Sequence, residues 1–133
     1  MGDISKNFSY SEFNCRDGAE VPEEYKPNVR RIVEEILQPM RDVIGKSIRI
    51  TSGYRTTAYN KACGGATKSQ HLKANAADIQ IKGMTSAQVQ QFVRGFMTAR
   101  LHYIGEGGGV GYYKNFTHVD IRAGTKVSFW DKT

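Results

Sequence analysis

The chain has 133 residues, 39% of them hydrophobic, which suits one compact domain with a single core spanning residues 1–133. Its net charge of +6 favours polyanions without choosing among them. The basic residues (Lys26, Arg30, Arg31, Arg41, Lys46, Arg49, Lys61, Lys68, Lys73) are scattered, which reads as a solvated surface and argues against a nucleic-acid arm.

Met1–Lys6 carries no apolar stretch of the secretory kind, and no run is long enough to span a bilayer. A product made in the cytoplasm without a leader, not inserted in a membrane and monomeric is expected. Ser9 stands three residues before Glu12 between aromatic neighbours, the spacing of a capping box, so a short opening helix is expected there. After Pro22 and Pro27, residues Val29, Ile32, Val33, Ile36, Leu37, Met40, Val43 and Ile44 recur at helical spacing and predict an amphipathic helix kinked or broken near Pro39.

Ser47–Ser52 alternates apolar and polar residues and reads as a strand, with Gly53-Tyr54-Arg55 at its end. A loop of Gly and small polar residues follows from Cys63 to Gln70, with His71 at its far edge, and then a strand through Ala76–Ile81. Thr85 or Ser86 can cap a second helix from about Ala87 to Arg100, with Val89, Phe92, Val93, Phe96 and Met97 inward. Val110–Tyr113, Thr117–Arg122 and an edge segment Val127–Trp130 are further strand candidates, and Gly105–Gly111 is the most flexible stretch. This order predicts an α+β fold, an antiparallel sheet with flanking helices. Cys15 and Cys63 are too few for a disulfide framework and read as two small semi-buried side chains, ahead of a bridge.

Catalytic zinc is commonly held by two His and one carboxylate, with a fourth position left for water. His71 and Asp78 bracket a turn and the start of a strand, and His118 lies on another strand-like segment that a hairpin connection could bring alongside. Taken alone, this spacing arises by chance in many chains. A surface His beside a capping Asp, with His118 on a strand face, is the plain alternative.

The surrounding residues carry more. Ser52-Gly53-Tyr54-Arg55, Asn60, Gly64-Gly65, Ser69-Gln70-His71-Leu72, Ala76-Ala77-Asp78-Ile79 and His118-Val119-Asp120 together resemble the LAS peptidases, zinc D-alanyl-D-alanine carboxypeptidases and L-alanyl-D-glutamate endopeptidases. The resemblance spans about residues 8 to 124 and implies the Hedgehog/DD-peptidase fold, a bound Zn2+ ion, and peptidoglycan peptides as substrate. It implies His71, Asp78 and His118 as metal ligands, Arg55 as the residue reaching the metal-bound substrate, and Ser69 and Gln70 as supporting residues near substrate or backbone. His102 has no counterpart in the pattern and is expected to be dispensable.

One position departs from it. Many members place a catalytic carboxylate three residues before the last zinc His, where this chain has Asn115, and an amide cannot accept a proton from water. Asp120, two residues after His118 and hence on the same strand face, is the first replacement, and Glu106 the second. On this reading Asp120 moves the proton, Arg55 stabilises the developing oxyanion, and the ligands stay deprotonated, so metal affinity falls on acidification. Carboxypeptidase and endopeptidase action both stay open, and access to the wall would require export or lysis. The rival of another class is a zinc-containing module that binds cell-wall peptide without cutting it.

Overall fold

The computed structural model describes residues 2–133. The helical spacing between Val29 and Ile44 forms one rod in three parts: α1 (Lys26–Ile32), a π-helical turn (Val33–Leu37) and α2 (Gln38–Ile44). Pro39 has no N–H to return to the preceding turn, and the wider turn just ahead of it accommodates that missing bond. Leu37 and Gln38 keep right-handed helical dihedrals, so the rod is widened at Pro39 and not broken. Val29, Ile32, Val33, Ile36, Leu37 and Met40 are fully buried along one stripe, each such side chain worth about 1.5–3 kcal/mol of burial. Val43, expected on that stripe, is 72% exposed because the rod has run past the core by its last turn.

Five strands form one sheet in the order β1 (Ile48–Ser52), β2 (Ala76–Ile81), β4 (Thr117–Asp120), β3 (Gly108–Tyr112), β5 (Val127–Asp131). The pairs β1–β2, β2–β4 and β4–β3 are antiparallel, but β3–β5 is parallel, so the sheet is mixed and the expectation of a purely antiparallel sheet is corrected. The reason lies in the order. The chain leaving β4 turns back, but both sides of β4 are already taken by β2 and β3. The last strand therefore passes to the free edge of β3, where its direction matches that of β3.

The period-2 alternation of strands sorts the two faces. Ile48, Ile50, Ala77, Ile79, Ile81, Val110 and Val119 join the core. Asp78, His118 and Asp120 alternate with those core residues and so face the other way. The helix α4 (Ser86–Ile104) packs against β2, β3, β4 and β5 through Val89, Val93 and Met97. Thr85 and Gln88 close a capping box at its start, and Gly105, at φ 80°, ends it in the left-handed conformation that glycine adopts without penalty. The short elements not apparent in the sequence include α3 (Thr57–Ala62), capped by the Thr56 side chain accepting from the Tyr59 N–H, and a 3-10 turn at Gln70–Lys73. The second of these carries His71.

Candidate metal centre

A single row of residues crosses the sheet. Ser52 of β1 is paired with Asp78 of β2, Asp78 with His118 of β4, His118 with Gly111 of β3, and Gly111 with Trp130 of β5. His71 is brought over this row by the 3-10 turn, which Ser69 caps by accepting a hydrogen bond from the His71 backbone N–H. His71, Asp78 and His118 are all buried, at 2%, 2% and 6% exposure, a setting in which unpaired polar groups are costly.

Their donor atoms converge. His71 Nε2 lies 3.1 Å from Asp78 Oδ1, His118 Nδ1 lies 3.0 Å from the same oxygen, and the two ring nitrogens are 3.2 Å apart. The opposite nitrogen of each ring faces a group that can only accept: His71 Nδ1 is 2.7 Å from the Gly53 carbonyl oxygen, and His118 Nε2 is 2.7 Å from Asp120 Oδ2. Those nitrogens carry the protons, so in neutral rings the lone pairs of His71 Nε2 and His118 Nδ1 point at each other and at a carboxylate oxygen. Three lone pairs around one point repel unless a cation sits among them. Tetrahedral zinc ligands at about 2.0–2.2 Å from the ion stand about 3.3–3.6 Å apart, within a few tenths of an ångström of this triangle. The donor set therefore fits a metal ion, and the three residues are the group of that kind among the described residues.

Each corner is fixed from behind, as ligand side chains usually are. Gly53 orients His71, Asp120 orients His118, and Arg55 Nη2 donates to Asp78 Oδ2 at 3.1 Å. Where no cation fills the triangle a proton can take its place: burial alone would raise the Asp78 carboxyl, but hydrogen bonds donated by His118 and His71 when the ring carries that second proton outweigh it and hold the group well below the usual carboxylate range. Burial likewise acts against the charged form of His118, and the hydrogen bonds that the doubly protonated ring makes to Asp120 and Asp78 reverse the balance, raising it above the ordinary histidine value. Asp120 is also held low: burial opposes ionisation, but the hydrogen bonds of His118 and Arg122 prevail.

The cleft in front of the triangle has a volume of about 800 Å3. Arg55, Ser69 and Gln70 line it. Arg55 also donates to Ser52 Oγ and Asn60 Oδ1, which together with Asp78 occupy three of its five N–H groups and leave two for the cleft. The residues expected to move a proton are placed differently. Asp120 has no exposed surface, and its carboxylate lies on the far side of the His118 ring, engaged by Arg122 through both oxygens. Glu106 pairs with Arg100 at 2.8 Å beside the helical rod and does not line the cleft. The backbone carbonyl of Asn115 accepts from Gln80, away from the triangle. Among the described residues, Asp78 is the one carboxylate in the cleft lining.

His102 lies exposed near the end of α4, apart from the triangle. Cys15 is buried, Cys63 exposed at the cleft, and the two are free thiols. Sequence reasoning missed Tyr113, Arg122, Trp130 and Lys132, which also line the cleft. The signal for Trp130 was its place in a strand candidate, but which face it occupies depends on the parallel pairing of β5.

A model of the peptidase M15 family matches residues 6–120 of the chain. A curated relative, the zinc D-Ala-D-Ala carboxypeptidase of Streptomyces albus G, is 33% identical over 131 residues, covering 93% of this chain and 48% of that protein. The chain thus spans about half the length of the curated relative it matches. With the matched span running from the first turn through β4 and enclosing the whole His71–Asp78–His118 triangle, the chain belongs to the peptidase M15 family.

Proposed function

We propose that this chain is a zinc peptidase that hydrolyses amide bonds in the peptides of bacterial cell wall, with His71, Asp78 and His118 as the zinc ligands. The observation that carries the reading is the buried triangle of three lone-pair donors, each oriented by a partner behind it. The relative's name supports both the metal and the substrate class. When bound, zinc polarises the scissile carbonyl and lowers the pKa of water toward about 7.

The chain's own groups supply the rest. Arg55 lines the cleft beside Asp78 and keeps two N–H groups without a partner in the protein, which we assign to the oxygen on which charge develops, a contribution of about 3–4 kcal/mol for a well-placed donor. Ser69 fixes the turn that presents His71, and Gln70 lines the approach. Asp120 accepts the Nε2 proton of His118 and so keeps Nδ1 free for the metal. We assign it to orientation and not to proton transfer from water, because the imidazole stands between its carboxylate and the triangle. Carboxypeptidase and endopeptidase action are both compatible with a cleft open to solvent.

A second reading is favoured by one observation: no carboxylate other than Asp78 lines the cleft among the described residues, as in a module that holds zinc and wall peptide without cutting. Incubating the zinc-loaded protein with soluble wall peptides, with and without a chelator, and weighing the products by mass spectrometry tests both. Chelator-sensitive cleavage is expected. Binding without cleavage of any peptide would replace the peptidase reading by the binding one.

A further inference from the structure

Gly111 stands between His118 and Trp130 in the cross-strand row, and a side chain there would be impossible as the molecule is built: a Cβ on Gly111 would come within 2.5 Å of the indole. Because that position is bare, the Trp130 ring folds inward over it and reaches the His118 imidazole, with ring centroids 5.1 Å apart. The indole is held on two further sides. Its Nε1–H donates to the Tyr113 hydroxyl at 3.0 Å, and the Arg122 guanidinium lies 4.9 Å from the ring centre while donating to Asp120. Arg122 therefore ties together two of the groups that touch His118: Asp120 at its Nε2 edge and Trp130 beside the ring.

The indole is half-buried and lines the cleft, and Tyr113 and Phe116 continue it as a stacked pair 4.5 Å apart. Arg122, Trp130 and Lys132 all follow residue 120, where the match to the family model ends, although the alignment with the Streptomyces relative runs beyond it. The metal triangle lies within the span of that model, and Trp130 of the last strand forms part of one wall of the cleft.

We propose that Trp130 is a positioning and specificity-determining residue of this site: it braces His118 and offers the part of its indole that lines the cleft as an apolar platform for an aliphatic side chain of the bound peptide. The inference rests on the peptidase reading for its second half alone. An aromatic ring takes up aliphatic groups through area burial, and the flanking Lys132 complements a carboxylate nearby, so the platform fits a small aliphatic residue next to an acidic group.

The test compares wild type with Trp130→Phe and Trp130→Ala, using zinc alone and soluble wall peptides as probes. Trp130 is the sole tryptophan and stands outside the core, so both variants are expected to keep the wild-type circular dichroism. Trp130→Ala should bind zinc about tenfold more weakly and raise KM about tenfold, with a smaller change in kcat. Trp130→Phe should recover most of both, because a ring again fills the space over Gly111. Wild-type zinc affinity and KM in Trp130→Ala would overturn the proposal, as would a Phe variant no better than Ala. Should the wild type load zinc and cut nothing, the peptidase reading falls, and the zinc affinities of the variants still decide whether Trp130 braces His118.

Discussion

His118 and Asp120 stand two residues apart on β4, and the carboxylate of the second holds the ring of the first, Oδ2 to Nε2, at 2.7 Å. That contact turns Nδ1 toward His71 and Asp78 and places Asp120 behind the proposed metal ligand, outside the cleft lining. Asp120→Asn separates the two roles. An orienting carboxylate predicts zinc binding weakened about 10- to 100-fold, measured by competition with a chromophoric chelator. A proton-transferring carboxylate predicts intact zinc affinity and a loss of about 100- to 10,000-fold in kcat. The first outcome is expected.

Glu106→Gln should leave peptide cleavage at the wild-type rate, since Glu106 is engaged by Arg100 and does not line the cleft. His102→Ala should be equally silent in zinc content and rate. A strong loss of turnover in Glu106→Gln would mean that the 105–107 segment moves into the cleft on substrate binding.

Asp120 also shows how far the sequence could be read. The alternation of β4 put Asp120 on the same face as His118, and that is correct. Sharing a face does not say whether a carboxylate lies in front of a ring or behind it; side-chain rotamers and Arg122 decide that, and no spacing rule encodes them. The positions of β1, β2 and α4 were legible because long periodic runs dominate local preference. The direction of β5 was not, because it follows from which sheet edge remains free once β2 and β3 have flanked β4. His71, Asp78 and His118 were selected by motif, and the fold brings them together from two strands and a 3-10 turn that has no periodicity to reveal it.

Gly111→Ala should reproduce the effects of removing Trp130. The added methyl has no room beneath the indole, so the ring must swing out, releasing His118 and the Tyr113 hydroxyl together. Zinc affinity and KM should shift in the same direction as in Trp130→Ala, and the double variant should show little further loss. Additive losses would mean that the glycine and the indole act separately.

Arg100 is 5% exposed and joins the rod to the segment after α4, donating to Glu35, Glu106 and the Gly107 carbonyl. Arg100→Ala should lower stability by about 1–3 kcal/mol in chemical denaturation, the lower end reflecting how far both carboxylates reach solvent. Burial alone would raise Glu35, but hydrogen bonds from Arg31 and Arg100 outweigh it and depress its value. A depressed carboxyl adds stability above its ordinary value of 4.5, and that stability is lost as pH falls through the lower folded-state value. The wild type should therefore lose more stability than Glu35→Gln between neutral pH and acid below 4.5. Parallel curves would remove Glu35 from the acid response.

The metal triangle is tested most directly by zinc content. Elemental analysis of the purified protein after reconstitution should give one zinc per chain, and His71→Ala, Asp78→Ala and His118→Ala should each lose it, with His102→Ala retaining a full equivalent. Because the ligands bind deprotonated, zinc should also be released as the pH is lowered through the histidine range. A His118→Ala protein that keeps a full equivalent of zinc, or a wild type that takes up none, would contradict the site described here.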